Sequence, residues 1–150
     1  MTAFVTAGAG FLLAVLWFDL MFDVQTLGQG AGELAEERLA SIAAYYARVT
    51  TAARPMNRLI AATMLATLTA IVVEIADGGA VPSGVAWVSL ALALAAIGLA
   101  GARTVPQAVR LGARGDSVAR QSELARAICR EHLFCFAAIA AVIALQLSCS

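Results

Sequence analysis

Hydrophobic positions along the chain gather into four long runs, at about residues 2–22, 59–76, 81–102 and 129–147. Polar segments at 23–58 and 103–132 and a short Asp77–Val81 connection separate them. A hydrocarbon core of ~30 Å needs about 20 helical residues, and each run supplies roughly that number. In lipid every backbone donor and acceptor must be paired within its own segment, so each run is predicted to be a helix. The pattern predicts an all-α integral membrane protein. Residues 1–150 would form a single four-transmembrane-helix bundle with a cytoplasmic amphipathic helix and an extended fourth helix.

The polar segments carry helical patterning of their own. Between Glu33 and Ala53 the residues Ala35, Leu39, Ile42, Tyr46 and Val49 recur at three- and four-residue intervals, which makes one apolar stripe. Acidic Glu33, Glu36 and Glu37 near its start and Arg48 and Arg54 near its end suit the helix dipole. A basic, surface-lying helix would carry more cationic charge, so the stripe is expected to pack on a partner helix. Downstream, Gly112 and Gly115 are expected to break the chain, with Asp116 or Ser117 capping a new helix. That helix would run from Ser117 to Ser148, about 48 Å, with its first third beyond the bilayer. Pro55 and Pro82 are expected to open the second and third spans, Pro106 to follow the third, and Gly78-Gly79 to turn between those two. Ala91, Ala95, Gly98 and Ala102 share one face of the third span, a spacing that lets another helix approach closely.

Charge adds an orientation. All ten basic residues are arginines, and all lie in the two polar segments. Cytoplasmic loops collect such residues, so both arginine-bearing segments are expected inside a cell (inner) membrane, with both termini outside. Asp and Glu also number ten, so the net charge of zero hides a one-sided distribution of cations. The first run has no basic leader and ends in Trp17-Phe18-Asp19-Leu20-Met21-Phe22-Asp23, so it is expected to be a retained span and not a cleaved signal. Only 13% of residues are charged, against about 25% in soluble domains.

Several chemistries lack support. Gly28-Gln29-Gly30-Ala31-Gly32 follows no strand, has no lysine and has the wrong spacing for a phosphate loop, so it is expected to be a flexible connector. Cys129, Cys135 and Cys149 form no CxxC pattern and read as small apolar filler. A single histidine excludes bis-histidine haem ligation, no cofactor is predicted, and no nucleic-acid signature is present. The partners to expect are the lipid bilayer, anionic lipid headgroups at the cytoplasmic arginines, and further copies of the chain or a larger membrane complex.

The informative residues are polar ones within the apolar runs, since an ionised group at mid-span costs on the order of 3 kcal/mol on insertion scales. Asp19 and Asp23 share a face of the first helix. Thr63, Thr67, Glu74 and Asp77 align on the second, and His132, Cys135 and Gln146 on the fourth. Helix direction puts Asp19, Asp23, Glu131 and His132 at the inner end, with Arg58, Arg103 and Arg130 as expected ion-pair partners of the two aspartates. Glu74 and Gln146 fall at the outer end, where no arginine exists and hydration of Glu74 is the expectation. Asp19, Asp23 and His132 are the candidates for catalysis or for half of a divalent-metal site. Three functions follow: a non-enzymatic structural or accessory subunit, preferred; a small oligomeric transporter or channel along Asp19, Thr67 and Glu74; or a membrane enzyme at the inner face.

Overall fold

The computed structural model describes residues 1–30, 32–78 and 81–149. The described residues form six α-helices: α1 Thr2–Asp23, α2 Glu36–Ala47, α3 Arg54–Ala76, α4 Ser83–Leu99, α5 Val105–Ala113 and α6 Val118–Ser148. A 3-10 turn at Val24–Thr26 prolongs α1, and wide π-helical turns at Arg48–Ala52 and Ala100–Thr104 prolong α2 and α4. Four helical stretches are long and apolar enough to cross a membrane: Thr2–Thr26, Arg54–Ala76, Ser83–Ala113 and Val118–Ser148. Hence the described residues form an all-helical bundle with four helices of membrane-spanning length and apolarity.

The third stretch is longer than the sequence pattern suggests. Pro106 does not end it, because the wide turn before the proline lets Val105 donate its N–H to Ala100 O instead of to residue 101. That rearrangement makes room for a ring that would otherwise clash with the preceding turn. The helical rod therefore continues through α5 to Ala113. Gly112 does not break the chain either. A Cβ there would sit 2.7 Å from Ala47 N, so this glycine lets α2 and α5 cross at backbone contact. Reversal comes at Arg114, whose φ of 55° is left-handed. Ser117 then caps α6, its hydroxyl accepting from Arg120 N at 3.4 Å, as the sequence indicates.

α2 packs on α5 and α6 as its stripe predicts. Leu39, Ile42, Ala43 and Tyr46 are buried with Ala108, Leu111, Leu124, Ala125 and Ile128. Its first turn begins at Glu36 and not at Glu33, because Leu34 lies buried ahead of the helix with its N–H donated to Ser122 Oγ at 2.9 Å. The glycine-rich connector is likewise tied down where it is described: Arg126 Nη2 donates to Gly30 O at 2.9 Å and also to Gly32 O. Ala31 of that run and Gly79 of the Gly78-Gly79 turn lie outside the described residues.

A second core lies among α1, α3, α4 and α6, with Val5, Ala9, Leu12, Ala70, Ile71, Ala93, Ala96, Ala138, Ile139 and Val142 buried. α6 is central, with 44% of its apolar window buried against 17–22% in the other three. α4 turns Ala86, Ser89, Ala93 and Ala96 inward, while Ala91, Ala95, Gly98 and Ala102 are exposed. Both faces of α4 are small enough for close packing. The inward one also carries Ser89, a hydroxyl that meets Gln146 at 3.4 Å, and it brings Ala96 O within 3.4 Å of Cys135 Sγ.

Candidate functional site

At the arginine-bearing end three elements converge on one buried polar cluster. α1 contributes Asp19 and Asp23, one turn apart; α2 contributes Tyr45 and Tyr46; α6 contributes His132. His132 Nδ1 lies 2.6 Å from Asp23 Oδ2, and Tyr46 donates its hydroxyl to Asp23 Oδ1, also at 2.6 Å. On the other side of the ring His132 Nε2 is 3.8 Å from Asp19 Oδ2, and Tyr45 donates to Asp19 Oδ1 at 2.7 Å. The imidazole thus lies between two carboxylates, each of which also accepts a phenol. Asp23 is fully buried, and Tyr46 and His132 nearly so. Phe22 stacks on Tyr45 with ring centroids 4.1 Å apart, closing the side of the cluster.

This arrangement follows from local structure. A four-residue step places Asp19 and Asp23 on one helical face, while Tyr45 and Tyr46 sit where the α2 stripe meets α1 and α6. Both phenols are held above the ordinary tyrosine range, first by burial and then by the neighbouring carboxylate, Asp19 for Tyr45 and Asp23 for Tyr46. They are hydrogen-bond donors that stay protonated.

The structure brings together Asp19, Asp23 and His132 as the sequence places them, but with different partners. Among the described residues no ion pair joins an arginine to either aspartate. Arg103 instead meets Glu131, Nε to Oε1 at 3.3 Å, and Glu131 also accepts from Thr104 at 2.8 Å and Gln107 at 3.3 Å. Glu131 follows Arg130 and precedes His132, yet a helical step of about 100° per residue turns it to α5 while His132 faces α1. Arg58 and Arg130 are exposed. The expected arginine neutralisation of Asp19 and Asp23 is therefore replaced by one histidine and two phenols. No group of three His, Cys, Asp or Glu side chains among the described residues is disposed to hold a metal ion.

Tyr45 and Tyr46 escaped the sequence reading as polar groups. Tyr46 belongs to the apolar stripe, where its ring lies; its hydroxyl is the signal, since a buried phenol O–H needs an acceptor.

At the opposite end Glu74 is not hydrated but buried, 2% exposed. Its Oε1 accepts from Thr2 Oγ1 at 2.8 Å and its Oε2 from Gln146 Nε2 at 2.9 Å. Of the aligned polar residues on α3, Thr67 is buried and bonds Thr63 O at 2.8 Å, Thr63 is half-buried and bonds Leu59 O at 2.9 Å, and Asp77 is exposed. Between the two polar clusters lie Leu12, Ala70, Ile71, Ala138 and Ile139 of the apolar core.

Fold and site together define a class, an all-helical bundle with four helices long and apolar enough to cross a membrane and a buried Asp–His–Tyr cluster at one end. Compared with known protein families, curated proteins and solved structures, the chain matches none of them.

Proposed function

We propose that this protein is a non-catalytic structural or accessory subunit of a cell (inner) membrane, packing with copies of itself or within a larger membrane complex. The arginine-bearing end would face the cytoplasm and both termini the outside. The observation that carries the reading is the commitment of the reactive side chains. Asp19, Asp23 and His132 are each engaged by another side chain of the bundle, and none of them lines either of two adjoining surface cavities at this end. A general acid or base has to reach the proton that it moves. This histidine instead fixes α6 to α1, and through Tyr46 to α2.

The transporter reading has one observation in its favour, Glu74 buried with no ion-pair partner among the described residues. Against it stand the apolar layer between the two polar clusters and the return of both threonine hydroxyls to their own helix.

The subunit reading is tested at the exposed small-residue face of α4. Ala95→Cys is introduced with Cys149→Ser and oxidatively cross-linked in native membranes. A cross-linked species larger than the 15.4 kDa chain is expected. A chain that stays monomeric there, and also by native electrophoresis in mild detergent, overturns the proposal.

A further inference from the structure

A groove runs along the seam between the Ala100–Ala113 stretch and α6. It consists of two adjoining cavities of about 270 and 280 Å³ that share Arg103 and Ala127. Each alone approaches the size of a small-molecule site, usually about 300–1,000 Å³. The groove changes character along its length. At one end it is lined by Arg110, Arg120 and Glu123, and at the other by Leu99 and Phe134. From Arg120 to Phe134 the α6 axis rises about 21 Å. A polar mouth therefore leads to an apolar slot on the flank of two helices long enough to cross a membrane.

Its charge is unevenly satisfied. Arg110 is held in a two-pronged pair with Asp116, Nε to Oδ2 at 2.7 Å and Nη2 to Oδ1 at 2.6 Å, and Arg120 meets Glu123 at 2.7 Å. Arg103 uses its Nε on Glu131, and its two terminal nitrogens donate no hydrogen bond within the described residues. Arg130 lines the same cavity as Arg103, is exposed, and joins none of the ion pairs. Two guanidinium groups with free donors in one cavity suit a phosphate, which accepts several N–H bonds at once. Gln107 lines the adjoining cavity and its Oε1 is buried without a donor, so a small turn of the side chain into the cavity would let a ligand hydroxyl donate to it.

We propose that this groove binds one anionic phospholipid with a hydroxyl-bearing headgroup. Its phosphate would lie between Arg103 and Arg130, its headgroup hydroxyl on Gln107, and an acyl chain along Leu99 and Phe134. A water-soluble phosphate ester shares the headgroup chemistry but leaves the Leu99–Phe134 slot without an occupant. The lengthwise order of charge and apolar surface is that of a lipid at the edge of a bilayer.

The test uses the whole chain, purified in mild detergent and offered equal amounts of phosphatidylglycerol and phosphatidylcholine, with bound lipid counted by native mass spectrometry. One phosphatidylglycerol per chain is expected, preferred at least about tenfold. Arg130→Gln, which removes a free donor, and Ala127→Leu, which fills the junction of the cavities without changing charge, should each lower that occupancy about tenfold. Arg58→Gln, an exposed arginine on α3 outside the groove, should leave it unchanged. Equal retention of the two lipids overturns the proposal, as does an equal loss in Arg58→Gln, which would indicate diffuse charge attraction. Displacement of the lipid by millimolar inorganic phosphate overturns it too, by identifying a site for a free anion. Should one groove variant fail to fold, as judged by circular dichroism, the other decides.

Discussion

The two cores of this protein are built on opposite rules. Around α2, α5 and the start of α6, large side chains point inward: Leu39, Ile42, Tyr46, Leu111 and Ile128 are at most 2% exposed, and Glu36, Glu37, Glu123 and Arg120 face outward. Among α1, α3, α4 and the rest of α6, alanines hold much of the interior, at positions 9, 70, 93, 96 and 138, while Phe4, Trp17, Phe18, Leu65 and Trp87 lie on the outside. The first pattern is a hydrophobic core made against water. The second uses small residues for close helix contact and turns the bulky apolar ones outward, the pattern that suits helices packed in an apolar surrounding. One chain therefore reads as matched to two solvents, and the Asp–His–Tyr cluster lies at the seam, with Tyr46 in the first core and Asp19 on a helix of the second.

The sharpest way to break that comparison is to cut the seam. His132→Ala would leave Asp19 and Asp23 in a buried site without the imidazole between them, an expected loss of about 3–5 kcal/mol in denaturant unfolding in micelles. The cooperative transition should also divide, with the α2–α5 layer released before the apolar bundle. A single transition with unchanged midpoint would show that the seam couples nothing.

Next comes a matched pair of truncations. Ile42→Ala, in the core made against water, should cost about 2–5 kcal/mol through lost burial and a residual cavity. Leu65→Ala, on the exposed apolar surface of α3, should change stability by no more than about 0.5 kcal/mol under the same conditions. Equal effects would mean that the two regions meet the same surroundings.

The smallest effect is spectroscopic. Both tyrosines hold their protons more tightly in the folded protein than in the unfolded chain, where the phenol titrates at about 10. Their contribution to stability is thus complete below that pH and is lost as the pH rises above it. Just above pH ~10 the folded protein should show little tyrosinate absorbance, and guanidinium-denatured protein should show most of it. Full ionisation in the folded protein at that pH would mean that Tyr45 and Tyr46 are not enclosed with the carboxylates.

Much of this was legible in the chain. Four apolar runs predicted the four long helices, and the spacing of Leu39, Ile42 and Tyr46 predicted the packed face of α2, because helical period and segment length are local properties. The four-residue step between Asp19 and Asp23 placed both on His132 for the same reason. Three things did not follow. Pro106 reads as a stop, and only the wide turn before it, supported by packing on α6, lets the helix continue. The face of α4 that packs inward is the other of its two small faces, since the choice depends on where Gln146 and Cys135 lie on α6. The partners of Asp19 and Asp23 were assigned by charge, whereas the fold supplied neutral phenols from a helix more than twenty residues away.

What the sequence determined by itself was therefore one-dimensional: element type, the four long apolar helices, the confinement of every arginine to two segments, and the faces on which polar residues cluster. What tertiary structure alone decided was pairing: arginine with Glu131 and not with the aspartates, histidine between two carboxylates, Glu74 with Thr2 and Gln146. The physical reason is that a buried polar group is stabilised by whichever donor or acceptor packing brings within about 3 Å, and sequence spacing carries no record of that distance.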